Sequence, residues 1–332
     1  MLKASFEIEV ITPLFLAGAN QAEAELRPPP FRGAMRYWYR ALIGGITGGD
    51  LDEVRRREAQ VFGETEHGSP IRVRITEVRP PEPSPPDFRQ DQSKLGIRYL
   101  FWSTEGSSNN RPRRRCCPPG TRFRLLLTAH EKDQRFLQEA IISLWLLTHF
   151  GGLGARSRRC AGSLALRSFA LSFSPEVELP LLSPDQVTDL DALATLLTLG
   201  LQEIKRFLSV SKLSSVENAR FDIIAPGNCY IALLSPQNGW LRVDEALEAV
   251  GKQLQQYRRS LPADDRRAFG LPLPTLKKRL ASPLHLHIAT IDSSYVCVAT
   301  IFKSRLLQQR HFNVIKNFIK NFPEATKREI EL

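Results

Sequence analysis

The stretch from residue 133 to residue 173 decides the fold, because a helix, a loop and a strand follow one another in it. Residues 133–150 read DQRFLQEAIISLWLLTHF and are apolar nearly all round, which predicts a buried helix. Residues 151–163 read GGLGARSRRCAGS, a glycine turn fused to an arginine cluster. Residues 164–173 read LALRSFALSF and predict a strand. The stretch therefore predicts a mixed helix and strand unit with one unusually basic loop.

Three further strands and two further helices are predicted before this stretch. Phe6, Ile8 and Val10 alternate with acidic residues, which is typical of a strand with one buried face. The other predictions are strands at 71–78 and 123–127 and helices at about 31–43 and 51–62. Together they give the order β-α-β-β-α-β of the ferredoxin-like split unit, which is also the topology of RNA-recognition modules.

The second half of the chain predicts another mixed unit, after a proline-rich linker at about 175–184. Helices are expected near 186–208, 244–259 and 308–322, a strand at 230–234, and a hairpin of 284–291 with 295–302. Because the strand count is less regular here, we predict a second, rearranged ferredoxin-like domain. The predicted fold class is α+β, with two tandem ferredoxin-like domains at residues 1–174 and 175–332 and long inserted loops.

The longest inserted loop runs from residue 79 to residue 121. It opens with five prolines within seven residues and holds the basic run Arg111 to Arg115. Loops of this length inside a compact domain are usually functional or fold on binding. We expect this insert to become ordered on contact with RNA or with a protein partner.

The composition favours a polyanionic partner. The 332 residues carry a formal net charge of +11, and the 46 basic residues comprise 34 arginines and 12 lysines. Arginine favours forked, stacking contacts over diffuse attraction. The net charge is +8 before residue 170 and +3 after it, so the partner is expected to bind mainly to the N-terminal half.

Several other protein classes are excluded by the same residues. The five cysteines form no C-x-x-C pair, so neither a metal site nor a disulfide framework is expected. The glycine turn follows a helix instead of a strand and has no Walker lysine, which argues against a nucleotide cofactor, and we expect none. No signal peptide or membrane span is predicted, so we expect a cytoplasmic protein without a membrane partner.

The glycine-arginine loop, residues 151–163, is the first candidate site. Gly151, Gly152 and Gly154 allow the backbone to come close to an anion, and the arginines at 156, 158 and 159 supply donors suited to phosphate oxygens. The alternative is an ordinary helix cap at Gly151 followed by solvated arginines. The combination of three glycines with Arg156, Arg158 and Arg159 favours phosphate contact.

The first predicted helix carries a second candidate face. Arg32, Arg36 and Arg40 are spaced four residues apart and repel one another unless an anion or a carboxylate lies opposite them. We interpret this face as an RNA contact. Trp38 lies on another side of the helix, together with Met35 and Leu42, and we interpret it as part of the core.

Two weaker groups of candidates complete the sites. Lys278 and Arg279 stand in a basic run before the predicted hairpin and fit either RNA contact or a solvated face. His149 could act as a general acid or base on an RNA 2′-hydroxyl, or pack the end of its helix. His285 and His287 alternate on one strand face and fit cross-strand packing. No catalytic arrangement is supported by these residues.

Several segments together resemble the RAMP superfamily of CRISPR proteins and, within it, the first subunit of the Cmr (type III-B) effector complex. The segments are ITPLFLAG at 11–18, RGAMRYWYRAL at 32–42, GGLGARSRR at 151–159, FGLP at 269–272 and ASPLHL at 281–286. Their order covers both halves of the chain. One departure concerns Cys160, because the family commonly has glycine at the first position after the arginine pair.

The resemblance implies tandem ferredoxin-like domains in a stacked ribonucleoprotein of Cmr subunits around a guide RNA. This subunit would lie near the 3′ part of the guide, help capture complementary target RNA, and leave cleavage to other subunits. The positions carried over as RNA-facing or loop-forming are Arg32, Arg36, Trp38, Arg40, Gly151, Gly152, Gly154, Arg156, Arg158 and Arg159. The alternatives are a metal-independent endoribonuclease that processes CRISPR repeat RNA, and a subunit that only binds other proteins.

Overall fold

The computed structural model describes residues 1–20, 22–106, 113–179, 187–236, 238–270, 280–303, 309–323 and 326–332. The elements of the first half are β1 (Leu2–Val10), α1 (Pro28–Ile46), α2 (Leu51–Phe62), β2 (Arg72–Arg79), α3 (Leu95–Phe101), β3 (Arg122–Ala129), α4 (Gln134–Phe150) and β4 (Leu164–Leu171). Those of the second half are α5 (Leu190–Phe207), β5 (Cys229–Ser235), α6 (Val243–Ser260), β6 (Leu284–Ile291), β7 (Ser294–Phe302), α7 (Gln309–Lys320) and β8 (Thr326–Ile330).

The strands form two antiparallel sheets of the same topology. The first has the order β2-β3-β1-β4 and the second the order β6-β7-β5-β8. In each sheet the first and the last strand of the unit along the chain lie side by side, as they do in a β-α-β-β-α-β unit. The predicted α+β class with two ferredoxin-like domains is confirmed.

The prediction that the second domain is rearranged is wrong, because its last strand was missed. That strand, β8, is only five residues long and reads TKREI. Short, charged strands of this kind protect a sheet edge from unwanted pairing with another chain. Because they are charged, they lack the alternating apolar pattern by which a strand is predicted from sequence. With β8 paired to β5, the second sheet repeats the first.

The helix α4 is buried on all sides because it lies between the two sheets. It contacts β3 and β4 of the first sheet and β6 and β7 of the second. The side chains of Leu144, Trp145 and Leu147 are each at most 2% exposed. This position explains why the helix is apolar nearly all round. None of the described helices is long and apolar enough to cross a membrane.

The insert at 79–121 reaches from the first domain to the second. Its helix α3 packs on α6 so closely that a Cβ on Gly251 would stand 2.2 Å from the carbonyl oxygen of Gly96. The Glu248 carboxylate accepts hydrogen bonds from the backbone N–H groups of Gly96 at 2.8 Å and Ile97 at 3.1 Å. Lys94 pairs with Asp244 at 3.0 Å. The described parts of the insert therefore rest on the second domain, and ordering on RNA stays a prediction.

We expect Gly251→Ala to destabilise the protein, because the added methyl group would force α3 away from α6. Overpacking of this kind costs about 1–3 kcal/mol. The matched control is Gly33→Ala in α1, where a Cβ meets nothing within 4 Å. Helix propensity predicts that this control is neutral or stabilising by up to about 1 kcal/mol. Thermal melting of both variants checks the prediction, and equal melting temperatures would contradict it.

Candidate nucleic-acid interface

The glycine-arginine loop lies where the two domains meet. Its backbone is tied to the segment after β1, because Ala155 donates a hydrogen bond to the carbonyl oxygen of Phe15 at 2.9 Å and Gly162 to that of Pro13 at 3.0 Å. The N–H of Cys160 donates to the carbonyl oxygen of Leu286 in β6 at 3.0 Å. The loop is thus held by both domains at once.

The glycines of the loop permit close packing of one protein segment on another. A Cβ on Gly151 would stand 2.4 Å from Nε1 of Trp38, and one on Gly152 would stand 2.7 Å from the carbonyl oxygen of Ala161. Gly154 has a φ of +82°, and its Cβ would stand 2.5 Å from a backbone oxygen. We therefore assign all three glycines a loop-forming role.

Cys160 adopts a backbone conformation that favours glycine. Its φ is +63°, in the left-handed region where a side chain is strained. Its thiol is fully buried, and burial together with the neighbouring Cys297 thiol raises its pKa. This conformation gives the physical reason for glycine at the position in the family, and the packed thiol partly offsets the strain.

The arginines of the loop join it to the segment that precedes β6. The Arg159 guanidinium is buried and donates to the carbonyl oxygen of Phe269 at 2.7 Å and to Oγ of Ser282 at 3.0 Å. Arg158 donates to the carbonyl oxygen of Ser282 and lies 5.5 Å above the Tyr37 ring. The structure therefore brings together the loop and the FGLP and ASPLHL segments of the sequence.

These contacts leave an open cleft between the domains, which we name the basic cleft. Its described lining residues are Tyr99, Trp102, Arg156, Ser157, Arg158, Arg159, Arg258, Phe269, Gly270, Leu280, Ala281 and Ser282. Four of them are arginines, and none of these described residues is acidic. Arg156 and Arg258 are anchored to the insert, since Arg156 donates to the carbonyl oxygen of Leu100 at 2.6 Å and Arg258 to the Tyr99 hydroxyl at 2.6 Å.

The positive charge in the basic cleft is only partly compensated, by the Asp222 carboxylate that lies 3.7 Å from the Arg158 guanidinium. Burial and, to a smaller extent, the nearby Arg258 charge lower the pKa of Arg156 to about 10. Burial, followed by the charge of Arg156, lowers the pKa of Arg159 to about 9. Nε of Arg258 is buried and has no hydrogen-bond partner among the described residues. A bound anion would relieve this repulsion and supply the missing acceptor.

Sequence reasoning missed three residues of the basic cleft: Tyr99, Trp102 and Arg258. The first two lie on the insert and the third near the end of α6, far from any motif in the sequence. The exposed Trp102, at 62%, carried no periodic signal that could have singled it out. Only the packing of α3 on α6 places these residues beside the glycine-arginine loop.

The arginines of α1 were predicted to repel one another unless an anion or a carboxylate lies opposite them, and the structure provides a carboxylate. Glu58 accepts from Nε of Arg36 at 2.5 Å and from Nη1 of Arg40 at 3.2 Å. Arg32 donates to the carbonyl oxygen of Ile71 at 2.9 Å. Arg32 and Arg36 line a separate groove, away from the basic cleft. Trp38 is 2% exposed and packs in the core, so we leave it out of the interface.

The three histidines are packed inside the protein and lie outside the basic cleft. Nδ1 of His149 is 2.7 Å from the carbonyl oxygen of Trp145, on whose ring it stacks. Nδ1 of His287 is 2.6 Å from the carbonyl oxygen of Gly151, and Nε2 of His285 is 3.0 Å from the Tyr37 hydroxyl. Burial lowers the pKa of His149 to about 4. These contacts favour packing over proton transfer to RNA.

Two further groups need mention. Lys278 and Arg279 lie outside the described residues, although the flanking Gly270 and Leu280 both line the basic cleft. Among the described residues, Asp264, Asp265 and His311 stand close enough to hold a metal ion. Arg267 and Arg310 already pair with Asp264, however, and their charge disfavours a cation there.

We expect the folded protein to lose stability below about pH 6.5. His149 and His287 have folded pKa values of about 4 and about 3, both lowered by burial, against about 6.5 when unfolded. Between these values the unfolded chain binds more protons, so each histidine costs about 1.4 kcal/mol per pH unit as the pH falls. Melting temperatures from pH 7 to pH 5 check this. A His287→Asn variant should show a shallower decline, and equal slopes would contradict the assignment.

Comparison with known proteins places the chain in a family. A family model described as RAMP superfamily matches residues 7–165. The CRISPR system Cmr subunit Cmr1-2 of Pyrococcus furiosus is 32% identical over 186 residues, which are 50% of this chain and 96% of that protein. Cmr subunit Cmr1-1 of the same organism is 28% identical over 339 residues, covering 96% of this chain and 94% of the relative.

Solved structures agree with these relatives. The crystal structure of Cmr1 from Pyrococcus furiosus in the apo form is 25% identical, covers 98% of both chains and superposes with a TM-score of 0.70. A chain in the cryo-EM structure of the type III-B Cmr-beta bound to cognate target RNA has the same fold, with a TM-score of 0.63 at 12% identity over 97% of this chain and 99% of that one. The chain belongs to the RAMP superfamily and, within it, to the Cmr1 family of CRISPR Cmr subunits.

Proposed function

We propose that this chain is a non-catalytic RNA-binding subunit of a type III-B CRISPR ribonucleoprotein. Its partners are the guide RNA, the complementary target RNA and other Cmr subunits, and it works in the cytoplasm. Within the complex it lies near the 3′ part of the guide and helps capture target RNA. The observation that carries the proposal is the basic cleft, whose described lining residues include four arginines and no carboxylate.

The basic cleft suits the phosphates of a nucleic-acid strand. Arginine forks match phosphate oxygens, and binding releases the counterions that surround the RNA. Because these contacts are made to the backbone, they position a strand without reading its sequence. That behaviour fits a subunit that must accept different guides, since base pairing between guide and target then carries the specificity.

The arginines have different roles within this proposal. Arg159 is buried and committed to protein acceptors, so it shapes the wall of the cleft. Arg158 and Arg258 are only partly buried and are the phosphate contacts, with Arg156 beside them. The arginine face of α1, with Arg32, Arg36 and Arg40, is proposed as a further contact along the strand, and so are Lys278 and Arg279.

We expect Arg258→Ala to weaken binding of single-stranded RNA by about 1.5 kcal/mol, roughly tenfold, because one charged contact to phosphate is lost. The slope of log K against log salt should become shallower by about 0.7. Fluorescence anisotropy of a labelled RNA over a salt series measures both quantities.

The matched control is Arg259→Ala on the same helix. Arg259 is exposed and does not line the basic cleft. We expect this variant to keep nearly the wild-type affinity and salt slope. If both variants or neither of them weaken binding, the basic cleft is not the RNA site.

The non-catalytic role has its own test. We expect labelled CRISPR repeat RNA to stay intact when incubated with the pure protein in a chelator, because burial lowers the pKa of His149 to about 4, which makes it a weak base, and its ring is held against Trp145. Gel electrophoresis of the RNA checks this. Cleavage that His149→Ala abolishes would establish an endoribonuclease instead.

A further inference from the structure

We infer that Trp102 is a stacking platform for one unpaired base of the strand whose phosphates occupy the basic cleft. The inference rests on the proposed function and adds a base contact to it. It begins with an aromatic side chain in an unusual position. Trp102 is 62% exposed, whereas Trp38 and Trp145 are at most 2% exposed. Its ring lines the same cleft as four arginines, where it can meet the base of a nucleotide whose phosphates the arginines bind.

The exposed ring is attached to a rigid support. The preceding residue, Phe101, is fully buried and packs edge-on against Phe15 with ring centroids 5.5 Å apart. Thr104 is 1% exposed, and its hydroxyl donates to the carbonyl oxygen of Phe101 at 2.8 Å. The Arg89 guanidinium donates to the Thr104 carbonyl at 3.1 Å. Residues on both sides of Trp102 are thus fixed, so little conformational entropy is lost when a ligand binds there.

The surroundings of Trp102 match the two parts of a nucleotide. The ring offers a flat apolar face, on which any of the four bases can stack. Arg156, Arg158 and Arg258 line the same cleft and offer donors for the adjoining phosphates. A protein partner would need acidic groups placed to reach the arginines and an apolar group placed to reach the ring. A nucleic-acid strand supplies a phosphate and a base in every nucleotide.

The chemistry also specifies the state of the RNA. In a continuous A-form duplex the base faces are already stacked on their neighbours, so none is free for the indole. The ligand of Trp102 is therefore a nucleotide that is single-stranded or displaced from the duplex. This places a strand end or an unpaired position of the RNA at the basic cleft.

The test compares RNA with and without bases. Two ligands of equal length are used, a single-stranded RNA and a ribose-phosphate oligomer that lacks the bases. We expect Trp102→Ala to lower affinity for the RNA about 5- to 100-fold and to leave the base-free oligomer unaffected. Trp102→Phe should keep most of the affinity. Trp102→Leu should behave like the alanine variant, because it is apolar but has no ring.

Two controls isolate the effect. Phe169→Ala removes another exposed aromatic ring, 47% exposed, which lines a groove elsewhere, and it should leave RNA binding unchanged. Melting temperatures should stay equal across the Trp102 variants, since the side chain is mostly in solvent. Tryptophan fluorescence should be quenched by RNA in the wild type and not in Trp102→Phe.

The outcomes separate this inference from the proposed function. If Arg258→Ala weakens RNA binding and Trp102→Ala does not, stacking is overturned and the phosphate cleft stands. If neither substitution weakens RNA binding, both the stacking inference and the proposed function are overturned. Wild-type affinity in Trp102→Leu would overturn stacking in favour of a general apolar contact. Loss of assembly with other Cmr subunits at unchanged RNA affinity would make Trp102 a protein-docking residue.

Discussion

The buried guanidinium of Arg159 holds the two domains together at the edge of the basic cleft. It belongs to the loop that joins α4 to β4, and its acceptors, the Phe269 carbonyl and the Ser282 hydroxyl, belong to the segments on either side of 271–279. Removing the side chain would leave buried acceptors without donors, which costs about 1–3 kcal/mol for each. Lysine could not replace it, because a single ammonium lacks the planar fork. The buried Arg159 side chain thus fixes one wall of the cleft.

The same arrangement links stability to function. Burial and, after it, neighbouring guanidinium charges lower the pKa values of Arg156 and Arg159, so the free protein holds unfavourable positive charge at the place where RNA is proposed to bind. On α1, by contrast, Glu58 neutralises part of the charge of Arg36 and Arg40. Two arginine clusters of similar appearance in the sequence therefore differ in the structure. The cluster in the basic cleft, where only Arg158 has a nearby carboxylate in Asp222, is the better candidate for a polyanion, because a bound anion relieves the charge repulsion there.

Local patterns predicted the elements well, and contacts between elements were harder to foresee. The helix at residues 51–62 was predicted to the residue, and α4 began and ended within one residue of expectation. The strand β8 was missed because an edge strand of five residues needs no apolar face. The histidines at 285 and 287 were correctly assigned to packing, since both are at most 5% exposed. Trp102 could not have been found, because nothing in the insert indicates that α3 would turn it toward the arginine loop.

The first ferredoxin-like unit, the apolar helix at 133–150 and the concentration of arginine and glycine at residues 151–163 follow from the sequence alone. These are local properties, set by periodicity, backbone freedom and charge. Which arginines face the cleft and which donate hydrogen bonds to protein acceptors depends on the tertiary structure. It also decided that Gly96 meets Gly251, and so that the insert forms one wall of the cleft. Such contacts join residues more than a hundred positions apart in the sequence. They depend on how the helices and loops pack together, which no short sequence pattern encodes.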